Sequence, residues 1–220
     1  MPADKVVAPP SFDAILLPEL QAGDADDLEP AASLDAFAFD GLTLETLALG
    51  GARMEASRLA GVRAAEADLR GTTISETIVE QLDVPVVRAA RTRWRDVRFE
   101  GGRLGSAELY EAEWRSVHFV GCKLGFVNLR GSELRDVQFT DCVVDELDLA
   151  STEALRLAFR GTRIRRLDVS RATLHDVDLR GCDIEELAGV ASLRGAVVDS
   201  AQLMLLAPLL ASEAGIRVVD

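Results

Sequence analysis

The sequence predicts an all-β fold in which the chain winds into a four-sided parallel β-helix. Two observations predict it. The residue at every fifth position from Phe39 to Ile184 is apolar without exception. Like residues also recur every twenty positions, most clearly in one phenylalanine column. An α-helix would scatter residues spaced by five, because each such step turns about 140° around its axis. An extended chain that bends every fifth residue would instead point them all inward.

Each five-residue segment is expected to form one side of a coil. The apolar centre and the residue two positions earlier share the inward direction, because side chains in a strand alternate between faces. Residues 37–186 make thirty such segments, or seven and a half coils of twenty residues and about 36 Å of rod. Glycine marks one corner, where a tight turn favours positive φ: Gly41, Gly61, Gly101, Gly121, Gly161 and Gly181.

The chain is predicted to have three parts. Residues 1–36 hold eight acidic residues, one lysine and five of the seven prolines, and they are expected to form a partly disordered arm. Phe12, Ile15 and Leu16 are candidates to dock that arm on the rod. The β-helix is predicted over 37–198.

Residues 199–220 are predicted to cover the open end of the last coil, which would otherwise expose unpaired backbone. The five-residue register slips after Ile184, so a bulge or loose turn is expected at 188–190. Asp199 and Ser200 suit a helix N-cap, a short helix is expected over 201–211, and a final strand is expected at 216–219. Four leucines are candidates to cap the rod, to form a homodimer contact, or both: Leu203, Leu206, Leu209 and Leu210.

The repeat also has a recognisable consensus. Ala67-Asp68-Leu69-Arg70-Gly71 reads Ala-(Asp/Asn)-Leu-x-x, and residues 127–131, 147–151 and 177–181 are close to it. The chain therefore resembles the pentapeptide-repeat family. That resemblance implies a right-handed quadrilateral parallel β-helix with a C-terminal capping helix. It also implies a protein that acts through its surface, since some members protect DNA gyrase and topoisomerase IV by imitating B-DNA and dimerise through this end.

The residue types that could react or bind a metal are better explained as core or surface residues than as parts of a reaction centre. Cys122, Cys142 and Cys182 share one inward column, which favours small core side chains over a thiol or metal ladder because no histidine joins them. His118 and His175 lie on outward positions of different faces and are expected to be solvated. Trp94 and Trp114 are centres that favour core filling over a stacking platform. No catalytic constellation or phosphate loop is found, so an enzyme, a cofactor and a metal are not expected.

The net charge of −13 argues against direct binding of nucleic acid, because phosphate contacts need basic surface. Most of that charge belongs to the arm. On the rod, one outward column forms a candidate interaction stripe, Asp68, Glu108, Asp148 and Asp168. A second face carries Glu113, Glu133 and Glu153 beside Arg95, Arg115 and Arg135, and a third is basic at Arg63, Arg103, Lys123 and Arg163.

These features predict a non-enzymatic protein–protein interaction module. DNA gyrase or another type II topoisomerase, bound by DNA mimicry, is the specific candidate, and a generic scaffold for an unidentified protein is the alternative. The odd cysteine count and the short apolar run at 14–17 favour a reduced cytoplasmic protein without a signal peptide or membrane span.

Overall fold

The computed structural model describes residues 7–217. The strands within this range are, in chain order, β1 (Gln21–Ala22), β2 (Ser33–Asp35), β3 (Phe37–Asp40), β4 (Thr43–Ala48), β5 (Arg53–Glu55), β6 (Arg58–Ala60), β7 (Arg63–Asp68), β8 (Thr73–Glu80), β9 (Asp83–Arg88), β10 (Arg93–Glu100), β11 (Arg103–Glu108), β12 (Glu113–Val120), β13 (Lys123–Asn128), β14 (Glu133–Thr140), β15 (Val143–Asp148), β16 (Glu153–Arg160), β17 (Arg163–Asp168), β18 (Thr173–Asp178), β19 (Asp183–Ala188) and β20 (Ala196–Val197). Two 3₁₀ segments, Ala25–Asp27 and Val190–Leu193, and the helix α1 (Ser200–Glu213) complete the elements.

The strands form two parallel sheets that share the coils of one solenoid. The first sheet has 12 strands and the second has 8, running from β4 to β19. Partners in the repeat region lie twenty residues apart, as in the pairing of Trp94 with Trp114 and of Phe99 with Phe119. The predicted four-sided parallel β-helix and its period of twenty are therefore confirmed.

In the column that begins at Phe39, four rings stack on successive coils from Phe99 to Phe159. The ring centroids of Phe99 and Phe119 are 4.7 Å apart, and those of Phe119 and Phe139 are 4.9 Å apart. Trp94 and Trp114 are also buried, and their rings stack at 4.6 Å. The core interpretation of both tryptophans is thus confirmed.

The three cysteines are free and buried, as expected of small core side chains. The Cys122 and Cys142 thiols donate to carbonyl oxygens of the preceding strand ends, at 3.5 Å to Val120 and 3.3 Å to Thr140. Burial raises the pKa of the Cys182 thiol to about 12. Among residues 7–217 no group of His, Cys, Asp and Glu side chains is arranged to hold a metal ion.

The solenoid begins earlier than residue 37. β2 pairs with β5 at the usual offset of twenty, and β1 pairs with β3. Leu28 and Leu34 are buried in the core, and a Cβ added at Gly23 would overlap the ring of Phe39. The part of the predicted arm that follows Gln21 therefore closes the N-terminal end of the rod, because it covers the first ring of the phenylalanine column.

The C-terminal end shows the predicted register slip. β20 pairs with β18 through Val177 and Ala196, an offset of nineteen, and Gly189 takes φ 78° before the second 3₁₀ segment. Asp199 caps α1 and forms a capping box with Gln202, so the predicted N-cap is confirmed. The Gln202 side chain also donates to the carbonyl oxygen of Cys182 at 2.7 Å.

The sequence also predicts a strand at 216–219. Ile216 and Arg217 lie outside any strand, and 218–219 lie beyond the described residues. No helix in the described part of the chain has the length and apolar character needed to cross a bilayer.

Candidate interaction surfaces

One coil, residues 112–131, defines the four faces of the rod. Face 1 is 112–116, face 2 is 117–121, face 3 is 122–126 and face 4 is 127–131, each repeated at steps of twenty. Within each segment the second and fourth residues point outward, so every face presents two ridges along the rod axis.

The predicted acidic stripe lies on face 4, but its members differ in their surroundings. The Asp68 carboxylate accepts from the Arg70 guanidinium at 2.6 Å, and this hydrogen bond lowers the pKa of Asp68. Asp148 is 7% exposed and pairs with Arg130 at 2.7 Å. Glu108 is exposed, and neither Glu108 nor Asp168 has an ion-pair partner among residues 7–217. Within that range, two of the four carboxylates therefore lack a direct counter-charge.

Side chains in the stripe column also stabilise the corner of the coil, a role that the charge pattern does not indicate. The Asp148 and Asp168 side chains each accept a hydrogen bond from the backbone N–H two residues later, both at 2.8 Å. Asn128 does the same for Arg130 at 3.1 Å. What these positions share is a side-chain oxygen that closes the corner, which explains why both Asp and Asn occur there.

Face 1 carries a long groove between two ridges. Its volume is ≈ 740 Å³ and it extends from Arg53 to His175. The first ridge, at the second position of each segment, is basic at Arg53 and Arg93 and acidic from Glu113 to Glu153. The second ridge, at the fourth position, is acidic at Glu55 and basic from Arg95 to Arg135.

Within the described chain, the one ion pair along the first ridge joins Arg93 and Glu113 at 3.3 Å. Four further charged side chains have no ion-pair partner in the same range: Arg115, Glu133, Arg135 and Glu153.

Face 3 is basic only in part. Arg163 pairs with Asp183 at 3.0 Å, while Arg103 and Lys123 are exposed without a carboxylate partner among the described residues. The other outward position on the same two strands is glycine, at Gly105 and Gly125. A Cβ at Gly125 would overlap the carbonyl oxygen of Gly105, so a side chain at this position would displace the backbone of the neighbouring coil.

The N-terminal segment lies along the corner between faces 1 and 2. The Ser11 N–H donates to Asp136 Oδ1 at 3.0 Å, and Ser116 Oγ donates to the Ser11 carbonyl oxygen at 3.3 Å. The Phe12 ring stacks on the His118 ring with centroids 5.0 Å apart. Ile15 is half-buried in the same cleft, whereas Leu16 is 84% exposed. Docking is confirmed for Phe12 and Ile15 and wrong for Leu16.

This arm changes the chemistry of His118. Burial, reinforced by the neighbouring Arg98 guanidinium, lowers the pKa of His118 to about 4. The imidazole Nε2 lies 2.9 Å from Thr140 Oγ1. The expectation of a solvated His118 is therefore wrong, because that expectation treated the outward column as bare. His175 is exposed, as predicted.

Replacing Phe12 with alanine should raise the pKa of His118 from about 4 towards its ordinary value of 6.5, since the ring that excludes water is removed. Because the folded value is the lower one, the arm contact is complete above pH 6.5 and is lost as the pH falls through about 4. Titration of the imidazole signals by NMR checks this. A Leu16→Ala variant serves as control and should titrate like the wild type, and identical curves for all three proteins would contradict the interpretation.

The comparison with protein families agrees with this geometry. Residues 112–188 match the family model described as pentapeptide repeat region. Over these residues the chain resembles the pentapeptide-repeat family.

Two solved structures are similar to this chain at low identity. QnrB1, described as a plasmid-mediated fluoroquinolone resistance protein, is 15% identical with a TM-score of 0.29, covering 87% of this chain and 99% of that one. HetL, from the cyanobacterium Nostoc sp. strain PCC 7120 and described as a pentapeptide repeat protein involved in heterocyst differentiation regulation, is 18% identical with a TM-score of 0.31, covering 78% and 91%. The search of curated proteins found no match.

The C-terminal helix gives the chain an exposed apolar surface. Leu203, Leu209 and Leu210 are 50%, 40% and 38% exposed. Leu206 is half-buried and lines a small cleft with Leu179 and Cys182 of the last coil. Leu206 is therefore the most buried of the four predicted leucines, and the other three are exposed.

Proposed function

We propose that the protein acts without catalysis, by binding a protein partner along its rod, with DNA gyrase or another type II topoisomerase as the specific candidate. The observation that supports this proposal best is the length of the rod, which is set by the regular spacing of its strands. The strands of face 1 repeat from β2 to β18 at the offset of twenty, which spans about 34 Å at the spacing of paired strands. One turn of B-DNA is about 34–36 Å long.

The charge of the chain supports a cationic partner surface. The formal net charge is −13, of which most belongs to residues 1–36 and the rest to the rod and its C-terminal end, so the protein would be attracted to a protein groove that normally holds DNA. On face 4, Glu108 and Asp168 are the stripe members without an ion-pair partner among the described residues, and we assign the contact to them. Asp68 and Asp148 would contribute less, because their charge is already balanced by Arg70 and Arg130.

A supercoiling assay with purified gyrase, with and without a fluoroquinolone, tests the candidate. The wild type should inhibit supercoiling or protect the enzyme, and the double variant Glu108→Lys, Asp168→Asn should lose most of this effect. The asparagine keeps the corner hydrogen bond, as Asn128 does. Asp145→Asn on face 3 is the matched control. Absence of any effect and of capture by immobilised gyrase would exclude this partner.

A generic interaction scaffold is the second candidate, and the exposed leucines of α1 favour it. An exposed apolar helix face of this kind is typical of contact sites for proteins. We place a homodimer contact there, through Leu203 and Leu210. Sedimentation velocity on a Leu203→Gln, Leu210→Gln variant should show a smaller species than the wild type, while Leu206→Gln should instead lower thermal stability. A wild type that sediments as a monomer would rule the contact out.

A further inference from the structure

Face 1 presents two ridges that carry rows of opposite charge over part of their length, although Arg53 and Arg93 also lie on the ridge that holds the glutamates. One ridge holds Glu113, Glu133 and Glu153 at the second position of successive segments. The other ridge holds Arg95, Arg115 and Arg135 at the fourth position. All six side chains are exposed, and the groove of ≈ 740 Å³ separates the two rows.

These charges are poorly neutralised within their own chain. Glu133 and Arg135 have no ion-pair partner in the described structure, although they lie on one strand. Like charges stacked on neighbouring parallel strands, about 4.8 Å apart, repel one another. Face 4 differs, because Asp68 and Asp148 are bound by arginines and Asp168 by a corner N–H group, which leaves Glu108 as the exception. Face 1 is therefore a surface that an opposite pair of charged rows would stabilise.

The spacing of the rows restricts what can supply such charges. Side chains on one side of an extended peptide repeat about every 6.6–6.8 Å, and the turns of an α-helix repeat about every 5.4 Å. Both drift out of register with rows that repeat about every 4.8 Å. Another coil of the same solenoid has the matching repeat at every level.

We propose that face 1 is a contact surface between two copies of this chain, laid side by side with their axes parallel. A two-fold axis along the rods places the acidic ridge of each copy on the basic ridge of the other. Glu113 then faces Arg115 of the second copy, and Glu133 faces Arg135 of the second copy, each pair occurring twice. Arg53 and Glu55 match in the same way at the N-terminal end.

Two details favour this arrangement over its alternatives. Antiparallel rods would lay each ridge on its own equivalent, so that Arg115 would meet arginines of the second copy. The parallel arrangement brings together only one like-charged pair, Arg93 with Arg95 of the second copy. Both of these are already paired within their own chain, Arg93 with Glu113 at 3.3 Å and Arg95 with Glu76 at 3.6 Å.

Charge reversal with complementation tests the proposal on the full chain. Glu133→Arg and Arg135→Glu should each weaken self-association about tenfold or more, because two facing pairs become repulsive. Neither change threatens the fold. The arginine introduced by the first would stand between Glu113 and Glu153, and the glutamate introduced by the second would stand beside Arg115 on the neighbouring strand. An equimolar mixture of the two variants should recover association, because every facing pair is then opposite in sign.

Sedimentation velocity at low and high salt gives the readout. Asp145→Arg on face 3 is the control and should associate like the wild type. Association through the leucines of α1 would not respond to these reversals, so it is distinguished from the face 1 contact. The proposal is supported if each variant alone associates less and the mixture recovers. It is overturned if the wild type, both variants and their mixture sediment alike, or if the mixture fails to recover.

Discussion

Replacing Phe139 with alanine should lower the free energy of unfolding by about 3–5 kcal/mol, the range found when a buried ring is removed from a packed core. The Phe139 ring is 1% exposed and lies between Phe119 and Phe159, with centroid distances of 4.9 and 5.3 Å. Coils above and below are held by strand hydrogen bonds, so they cannot collapse into the space. Urea unfolding followed by circular dichroism measures the loss.

Phe139→Leu is the matched control. Leucine occupies the same column at Leu59 and Leu179, where it is buried. The control should cost only about 1–1.5 kcal/mol, since a smaller cavity remains. Equal losses for alanine and leucine would mean that the column is not closely packed at this coil.

Replacing Gly125 with alanine should cost about 1–3 kcal/mol, although only one methyl group is added. That methyl group would overlap the carbonyl oxygen of Gly105 on the neighbouring coil. The obstacle is backbone, so relief requires a shift of the strand itself. Thermal and urea unfolding of the purified variant check the loss.

Gly121→Asn separates this overlap from the ordinary cost of replacing glycine. Gly121 has φ 61°, but nothing lies within 4 Å of the position of an added Cβ. Asp141 follows it in the same corner column with φ 52°, so a side chain fits there. We expect Gly121→Asn to cost under about 1 kcal/mol, because Asn tolerates this backbone region. A loss as large as that of Gly125→Ala would remove the close-approach explanation.

The core and register of the solenoid could be predicted because they repeat. Phe139 occupies a position that recurs every twenty residues, so the apolar residues at the equivalent positions identify it as a core residue. The N-terminal closure could be predicted only in part. Leu34 lies five residues before Phe39 and continues the series, but Glu29 interrupts it, and the cover supplied by Gly23 has no periodic signal.

The candidate surfaces were harder to predict because charge pattern does not determine pairing. Asp148 and Glu108 occupy the same column, yet Asp148 is buried against Arg130 while Glu108 is exposed. The arm is a second example, since the Phe12 ring covers the His118 ring, and burial together with the Arg98 charge lowers the pKa of His118 to about 4. Such contacts join segments more than one hundred residues apart and leave no trace in the local repeat.

The strict offset of twenty makes the rod modular along its length. A block such as 121–140 carries one side chain for every column, so its removal or duplication would join equivalent positions in phase. Every ridge would then stay continuous while the rod became one coil shorter or longer. The offset of nineteen between Val177 and Ala196 breaks this equivalence. We therefore expect natural length variation in such a protein to consist of whole twenty-residue coils inserted or deleted before Val177.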